Sequence, residues 1–540
     1  MTWTVASFLA FTLAVALISY WKTRSDHMNT TEAYFLGGRS LTGWVIAGSL
    51  ILTNLSTEQL IGLNADVFNH TIALMAWETT AALAMVLMAL YFLPRYLKSG
   101  FATIPQFLAD RYDQQTRVIA TTLFLFSYVV AILPVVLLSG ATGIESLFDI
   151  SSVWGLTSTQ STYLIVWGVG TLGSLYAIFG GLKAVAVSDT VNGVGFLFMG
   201  LLVPALALIH VGDGSLLAGL SEVYTDERPK FDITGDEPGS FLPFGVLFTG
   251  MIVNQIFFWC TNQAIVQRAL GAKSLKEGQK GVLLAAFFKL LGPLVIVLPG
   301  VIAFHMFKDT LAPEDYLMAY PMLVKTVLPP ALTGLFAAVM VGAILSTFNS
   351  VLNSSATLFS QGIYNALINP TASGPQMVWW GRMCSIVLAI AAMIVAPLID
   401  TTGSLYNYLQ KANATFFGPM LAVIVLGFLT KRISALAAKV GLVVGPVLFY
   451  LLVFSLGDQV QATLKSAFGL QDEVHFLHFL ALVFLITVVL MAVISHFRPA
   501  ESIYEQTYTQ AVEITPWRHA RAVGTAITIA TLAFYILLAQ

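Results

Sequence analysis

The sequence predicts an all-α integral membrane protein with about fourteen transmembrane helices. Of its 540 residues, 57% are hydrophobic and only 10% are charged, against roughly 45–50% and about 25% in soluble domains. Fourteen runs of the chain are apolar enough and long enough to cross a hydrocarbon layer of about 30 Å. The Lys and Arg residues concentrate in alternate loops between these runs, which the positive-inside rule predicts for a multi-pass protein.

The first apolar run has no Lys or Arg ahead of it. We therefore interpret it as a retained span rather than a cleaved signal peptide. In chain order the predicted spans, numbered 1 to 14 below, cover residues 4–21, 41–66, 71–97, 118–141, 161–179, 184–210, 241–266, 281–306, 327–360, 377–399, 403–429, 434–456, 475–497 and 520–538.

The distribution of basic residues predicts the orientation. We number each loop after the span that precedes it. If the N-terminus is outside, the odd-numbered loops are cytoplasmic and contain 19 of the 26 Lys and Arg residues, whereas the outer loops contain five. Because the number of spans is even, both termini are then expected outside. The protein is expected in the lipid bilayer of the inner or plasma membrane. The remaining two, Lys289 and Lys411, lie inside predicted spans. A net charge of -2 offers no basic field for nucleic acid.

Polar side chains concentrate in a few of the spans. A polar run interrupts span 2 at residues 53–59, and another interrupts span 7 between residues 254 and 263. The two segments are five helices apart, so they run in opposite directions, as an inverted five-helix repeat around a midplane site requires. Glu78 and Lys289 are opposite charges within spans, and each needs the other, a polar ligand or water.

Eight local strings resemble the sodium:solute symporter family, and within it the sodium/glucose and sodium/galactose cotransporter type. They occur in the family's order and spacing over nearly the whole chain. The strings are YFLGGRSL (34–41), SLILTNLSTEQLIGL (49–63), WE (77–78), YFLPRYLKSGFATIPQFLADRY (91–112), YAIFGGLKAVAVSDTVN (176–192), WCTNQAIVQRALGAKSLKEGQKG (259–281), AAFFKLLGPLVIVLPG (285–300) and AILSTFNSVLNSSATLFSQGIY (343–364).

This resemblance implies a LeuT-like core of five plus five helices in an inverted repeat. The first repeat would cover residues 41–210 and the second 241–429, joined by an outer loop at 211–240. Residues 1–40 would form an extra N-terminal helix and inner loop, and residues 430–540 three additional C-terminal helices. No segment outside the spans is long enough for a separate soluble domain.

The resemblance also implies a sodium site between the break in span 2 and span 9. Its ligands would be the carbonyls of Leu52, Leu55 and Ala343 and the hydroxyls of Ser346 and Thr347. These residue types suit the ion, because a hard cation prefers oxygen ligands and an unwound helix exposes carbonyls.

The substrate implied by the resemblance is a neutral sugar of the glucose or galactose type, imported with sodium by alternating access. Carboxylate, amide and ammonium groups can pair with sugar hydroxyls while aromatic rings cover the apolar face. The implied polar contacts are Gln59, Glu78, Gln255, Lys289, Asn407 and Gln410, and the implied aromatic walls are Trp77, Phe258 and Tyr406.

The sequence departs from the family pattern near this site. Sugar-transporting members commonly carry Tyr where Phe258 stands, Asn where Gln255 stands and Ser where Ala81 stands, so one gate hydroxyl is missing. Asp189, on the inner side of span 6, would lie on the sodium exit path or join serines in a second sodium site. An Asp there could equally cap a helix or pair with an inner-loop Lys or Arg, and both alternatives stay open.

Other solutes and another class of protein are the alternatives. The same fold could carry a myo-inositol-like polyol, a sugar acid or an amino acid. An integral-membrane enzyme would need acids or histidines clustered at a membrane face for metal or acid–base chemistry. The eight histidines are scattered along the chain, so we expect a transporter and not an enzyme.

Overall fold

The chain folds into helices, and no β-strand occurs in residues 2–24, 30–235, 240–399 and 404–538, which the computed structural model describes. Among these residues, ten helices are long and apolar enough to cross a membrane. They are Trp3–Thr23, Ile72–Ser99, Gln114–Phe148, Ser158–Val211, Pro330–Ile368, Gly374–Leu398, Leu405–Leu429, Ala435–Ser455, Phe476–Phe497 and Ala520–Leu537.

The longest of these helical stretches contains two predicted spans. Ser158–Val211 has 54 residues, which would extend for roughly 80 Å if it were straight, far more than a bilayer accommodates. Its backbone breaks at Gly181, where φ is 61° and ψ is -175°. Only glycine adopts such a conformation readily, so this residue separates spans 5 and 6.

Spans 2 and 7 are interrupted, as the polar runs predicted. Span 2 consists of Gly43–Asn54, a break, and the helical segments Glu58–Leu63 and Asn64–Asn69. Gly43–Asn54 has 12 residues and extends for only about 18 Å, so it cannot cross a bilayer alone. Span 7 likewise divides into Gly250–Cys260 and Gln263–Leu270. The total of fourteen crossings and the outside position of both termini stay predictions.

Span 8 is bent in its middle. Leu275–Lys289 and Gly292–Phe307 meet at an angle of 52°. Pro293 follows Gly292 directly, and a proline in a helix removes a backbone hydrogen bond and favours a bend. The bend therefore places the charged Lys289 at the end of one helical half, next to a gap in the backbone ladder.

Close packing through glycine brings the core spans together. A Cβ atom at Gly48 of span 2 would lie 2.8 Å from the Cα atom of Thr190 in span 6. A Cβ atom at Gly281 of span 8 would lie 2.6 Å from the Cβ atom of Ile46. Small residues at such contacts let membrane helices approach closely. The first half of span 2 is therefore held between spans 6 and 8.

The connecting segments are partly helical. The predicted outer loop contains Leu216–Asp226 and Arg228–Phe231. Parts of three predicted elements lie outside the described residues, namely 25–29 of the first inner loop, 236–239 of the outer loop and 403 at the start of span 11. The proposed domain boundaries stay predictions. The segment between spans 13 and 14 lies along the predicted inner face. There the Leu275 amide donates to the Glu513 carbonyl at 2.8 Å.

Candidate functional site

The break in span 2 leaves one backbone carbonyl free. The helix ends at Asn54, and Leu55 turns away with φ -80° and ψ 78°. The last four carbonyls of a helix have no intrahelical donor. Three of them find other partners: Ile51 accepts from the Leu55 amide at 2.7 Å, Thr53 from the Thr347 hydroxyl at 2.8 Å, and Asn54 from the Ser56 amide at 3.0 Å. Among the described residues, no donor reaches the Leu52 carbonyl, so its oxygen is available to a cation.

Span 9 faces this break with buried hydroxyl groups. The Thr347 hydroxyl donates to the Thr53 carbonyl, and the Thr53 and Ser350 hydroxyls lie 3.1 Å apart. Ser346 is 2% exposed. Its Oγ lies beside the Asp189 carboxylate but makes no hydrogen bond of normal geometry with a described residue. A buried hydroxyl keeps lone pairs that can bind a cation. The residues present therefore fit a sodium ion that is carried as a substrate.

The predicted ligands take two kinds of position. Leu52 and Ser346 present oxygens with free lone pairs, and the Thr347 hydroxyl keeps free lone pairs while it donates. Leu55 follows Leu52 on the same segment and Ala343 precedes Ser346 on the same helix, and both residues are buried. The structure thus brings the two predicted helices together at the predicted place, and the assignment of the five ligands stays a prediction.

Asp189 pairs with a buried arginine through a serine. The Ser49 hydroxyl donates to Asp189 Oδ2 at 2.6 Å, and Arg268 Nε donates to the same hydroxyl at 3.3 Å. Asp189 and Arg268 are both almost completely buried. Arg268 is one of the basic residues that the sequence assigned to the inner loop after span 7, and Ser346 of span 9 also lies beside the Asp189 carboxylate. The pairing alternative and the sodium-site alternative for Asp189 both stay predictions. Neither Ser49 nor Arg268 was predicted as a site residue, because only the tertiary structure brings spans 2, 6 and 7 together.

Glu78 and Lys289 form a direct ion pair in the middle of the protein. Lys289 Nζ contacts Glu78 Oε2 and Asn54 Oδ1, and both charged side chains are 1% exposed. The sequence predicted that each of these charges would need the other, a polar ligand or water. They contact each other directly, because in a medium of low dielectric constant an isolated charge is strongly unfavourable.

The ion pair is surrounded by polar and aromatic groups. Gln59 Nε2 donates to Glu78 Oε1 at 2.9 Å. Lys289 Nζ lies 5.2 Å from the centre of the Trp259 ring, a cation–π distance. Glu58 is also buried and interacts electrostatically with Lys289 and Glu78. Asn54, Glu58 and Trp259 were not predicted as site residues. The polar run in span 2 contained the signal for the first two.

The aromatic wall consists of Trp77 and Tyr406. Their ring centres are 5.8 Å apart and nearly perpendicular. Gln255 Nε2 donates to the Trp77 carbonyl at 2.7 Å, and the Tyr406 phenol lies next to the side chains of Gln59 and Gln410. These contacts join seven of the nine predicted substrate residues, Glu78 and Lys289 among them, into one group.

Phe258 and Asn407 have their contacts elsewhere. The Phe258 ring packs against Trp259 and, at 6.4 Å between centres, against Phe417. Asn407 and Lys411 line a cavity of about 450 Å³ towards the loop between spans 12 and 13. Asn407 is one residue beyond Tyr406, and neighbours on a helix point in different directions. Their assignment as substrate contacts therefore rests on the resemblance alone.

Two interrupted helices around a buried, charge-paired site define a secondary active transporter of the membrane. The model of the sodium:solute symporter family matches residues 34–445. The chain belongs to this family and is a multi-pass protein of the cell membrane that couples solute transport to sodium.

Known relatives are also transporters. The chain is 43% identical over 537 residues to the uncharacterized symporter YidK of Escherichia coli K12, covering 99% of this chain and 91% of the relative. It is 30% identical over 462 residues to the sodium/glucose cotransporter of Vibrio parahaemolyticus, covering 81% and 82%.

A solved structure has the same fold. A sodium-coupled sialic acid symporter, in a substrate-bound outward-open state, superimposes with a TM-score of 0.75. The alignment covers 93% of this chain and 99% of the symporter at 19% identity. This likeness supports the architecture of the helical core and says nothing about the solute.

Proposed function

We propose that the protein imports a neutral hexose of the glucose or galactose type together with sodium. The observation that carries this proposal is the buried Glu78–Lys289 pair with its amide and aromatic neighbours. A hexose presents hydroxyl groups that both donate and accept, and it also has an apolar face. Glu78 can accept from hydroxyls, Lys289 can donate to them, and Gln59 and Gln255 can do both.

The charge balance favours a neutral solute over an anionic one. Lys289 is already compensated by Glu78. An anionic solute would meet the Glu78 carboxylate beside the single ammonium group, and like charges at short distance are unfavourable. A sugar acid or an amino acid therefore fits less well than a hexose. A myo-inositol-like polyol has the same hydroxyl chemistry as a hexose and remains the second candidate.

Sodium would bind at the break in span 2, with Leu52, Leu55, Ala343, Ser346 and Thr347 as ligands. All five supply neutral oxygens, so the ion is held without a fixed counter-charge and can leave in each cycle. Sodium binding would order the break in span 2, and release of both ligands to the inside would follow movement of the core helices.

Uptake into proteoliposomes tests the proposal. The purified protein is reconstituted, and uptake of labelled D-galactose and D-glucose is measured under an inward sodium gradient and under a matched choline gradient. We expect sodium-dependent uptake that unlabelled hexoses compete and that glucuronate and amino acids do not. Competition by myo-inositol alone would favour the polyol. Competition only by the sugar acid or by an amino acid would contradict the proposal.

A matched pair of variants links uptake to the site. Glu78→Gln removes the carboxylate from the proposed sugar site, whereas Glu32→Gln removes an exposed carboxylate that pairs with Arg39. We expect the first substitution to abolish hexose uptake and the second to preserve it. Equal uptake by the two variants would exclude Glu78 as a sugar contact.

A further inference from the structure

A large cavity lies where spans 3, 8 and 14 reach the predicted inner face. Its volume is about 1020 Å³. Four basic side chains line it, from the last turns of span 3, from the segment between spans 13 and 14, and from the first turn of span 14. They are Arg95, Lys98, Arg518 and Arg521. This cavity is separate from the transport site described above.

No carboxylate balances these four charges. Of the described residues that line the cavity, none is Asp or Glu, and no described carboxylate lies within ion-pair distance of any of the four. Other basic residues on the same predicted face do have such partners, since Lys280 pairs with Glu277 and Lys439 with Asp113. Arg95 lies over the Tyr91 ring, and Arg518 Nε donates to His519 Nε2, but neither contact supplies a negative charge. Four positive charges around one cavity attract an anion.

The walls of the cavity are held in place by partly buried hydrogen bonds. Gln279 Oε1 accepts from the Trp517 amide at 2.8 Å. Gln506 Nε2 donates to the Arg95 carbonyl at 2.7 Å and to the Ser99 hydroxyl at 2.8 Å. These bonds fasten the segment between spans 13 and 14 to spans 3 and 8. The basic groups therefore surround a formed cavity and are not merely spread along flexible loops.

The cavity is amphipathic. Its basic groups lie at helix ends, whereas Leu90 lies two turns deeper in span 3 and Thr525 lies in the second turn of span 14. Trp517 lines it as well, and tryptophan is typical of the membrane interface. A free phosphate could neutralise the charges but would leave the apolar wall facing water. A phospholipid satisfies both parts.

We propose that this cavity binds the anionic headgroup of a membrane phospholipid, with the lipid chains against Leu90 and Trp517. Basic pockets between transmembrane helices at a membrane face suit anionic lipid headgroups. The lipid would connect span 14 to spans 3 and 8, and span 3 carries Glu78 and span 8 carries Lys289.

Native mass spectrometry of the full-length protein in mild detergent tests the proposal. Phosphatidylglycerol, cardiolipin or phosphatidylethanolamine is added, and the lipid that remains after washing is counted. The cavity variant carries Arg95→Gln, Lys98→Gln, Arg518→Gln and Arg521→Gln. The control variant carries Lys273→Gln, Lys431→Gln, Arg432→Gln and Arg498→Gln, which removes the same charge from the same predicted face without touching the cavity.

We expect the wild type and the control variant to retain the anionic lipids in preference to phosphatidylethanolamine. The cavity variant should lose about tenfold or more of this affinity, because each basic group near the headgroup contributes. Equal loss in both variants, or equal retention of all three lipids, would overturn the proposal. Displacement of the lipid by millimolar inorganic phosphate would reassign the cavity to a free anion and would also overturn it.

Single variants guard against misfolding. Arg518 and Arg521 are exposed, so Arg518→Gln and Arg521→Gln leave the packed core intact. Each should weaken retention of anionic lipid while thermal unfolding in detergent stays close to that of the wild type. Unchanged retention in both single variants would contradict the proposal even if the fourfold variant failed to fold.

Discussion

Lys289 of span 8 contacts the side chain of Asn54 at the break in span 2. Thr53 directly precedes Asn54, and its carbonyl accepts a hydrogen bond from the Thr347 hydroxyl of span 9. Adjacent residues at the end of the first half of span 2 therefore touch the proposed sugar site on one side and the proposed sodium site on the other. A shift of this segment on sodium binding would move both contacts together, which gives the coupling a physical route.

The first prediction concerns the Glu78–Lys289 pair. Either Glu78→Gln or Lys289→Gln leaves a buried charge without its partner, which costs about 3–5 kcal/mol. We expect the double variant to lose less free energy of unfolding than the two single variants lose together, because no unpaired charge remains. Denaturation in detergent of the four proteins of this cycle measures the coupling.

Glu32 serves as the control for that cycle, because its side chain is 60% exposed and pairs with Arg39. An exposed ion pair contributes about 0–1 kcal/mol, so Glu32→Gln should change the free energy of unfolding little. Additive effects of the two buried substitutions would show that Glu78 and Lys289 do not stabilise each other. None of the three proteins with a substitution at either buried position should transport.

The second prediction concerns the sodium ligands. Ser346→Ala should raise the sodium concentration for half-maximal uptake by about tenfold, since one oxygen ligand contributes on the order of 1–1.5 kcal/mol. The Ser346 hydroxyl makes no hydrogen bond of normal geometry with a described residue, although it lies beside the Asp189 carboxylate. Loss of the hydroxyl should therefore change the free energy of unfolding without sodium by about 1 kcal/mol or less. Uptake measured over a series of sodium concentrations gives the shift.

Ser354 provides the matched control on the same helix. Its hydroxyl is also buried without a described partner, and it lies two turns from Ser346, away from the break in span 2. Ser354→Ala should leave the sodium dependence unchanged. A similar shift in both variants would mean that loss of any polar group in span 9, and not loss of a ligand, changes sodium affinity.

The third prediction uses the glycine at the bend in span 8. A Cβ atom at Gly292 would lie 3.0 Å from Glu78 Cβ and 3.1 Å from Glu78 Oε2. Gly292→Ala should therefore displace the carboxylate from Lys289 and reduce uptake, with the protein still folded. At Gly168 an added Cβ meets nothing within 4 Å, so Gly168→Ala should preserve uptake. Full activity of the Gly292 variant would show that the position of Glu78 tolerates displacement.

The fourth prediction concerns two lysines of the outer segments. Burial lowers the pKa of Lys230 to about 8, although Glu227 opposes this shift. Lys230 Nζ donates to the Phe68 carbonyl at 2.6 Å. Lys308 is exposed, and a hydrogen bond to Glu227 raises its pKa. Acylation of each amine as a function of pH, read by mass spectrometry, should give a midpoint near pH 8 for Lys230 and a clearly higher one for Lys308.

The lowered pKa of Lys230 also determines the sign of a pH effect on stability. Between about pH 8 and the usual lysine value near 10.4, the unfolded chain binds a proton that the folded chain has released. Stability of the outer segment should therefore rise with pH over this interval. Lys230→Met should remove the rise, and a rise that persists in this variant would contradict the assignment.

Much of the architecture follows from the sequence because it depends on local properties. The apolar runs determined where helices form, and the polar runs at 53–59 and 254–263 marked the two interrupted helices that the structure contains. The need of Glu78 and Lys289 for partners also follows from their charge and position alone. Membership of the family can also be recognised from contiguous strings of residues.

Only the tertiary structure determined which side chains meet. Asn54 reaches Lys289 across 235 positions of the chain, and Ser49 joins Asp189 to Arg268 across three spans. Phe258 packs against Trp259 and Phe417, and Asn407 lines the cavity towards spans 12 and 13, because the rotation of a helix is set by its packing against neighbours. The cavity with Arg95 and Arg521 brings together residues that the sequence explained only as markers of orientation. Periodicity and polarity act along the chain, whereas a binding site depends on distances between helices, which packing alone determines.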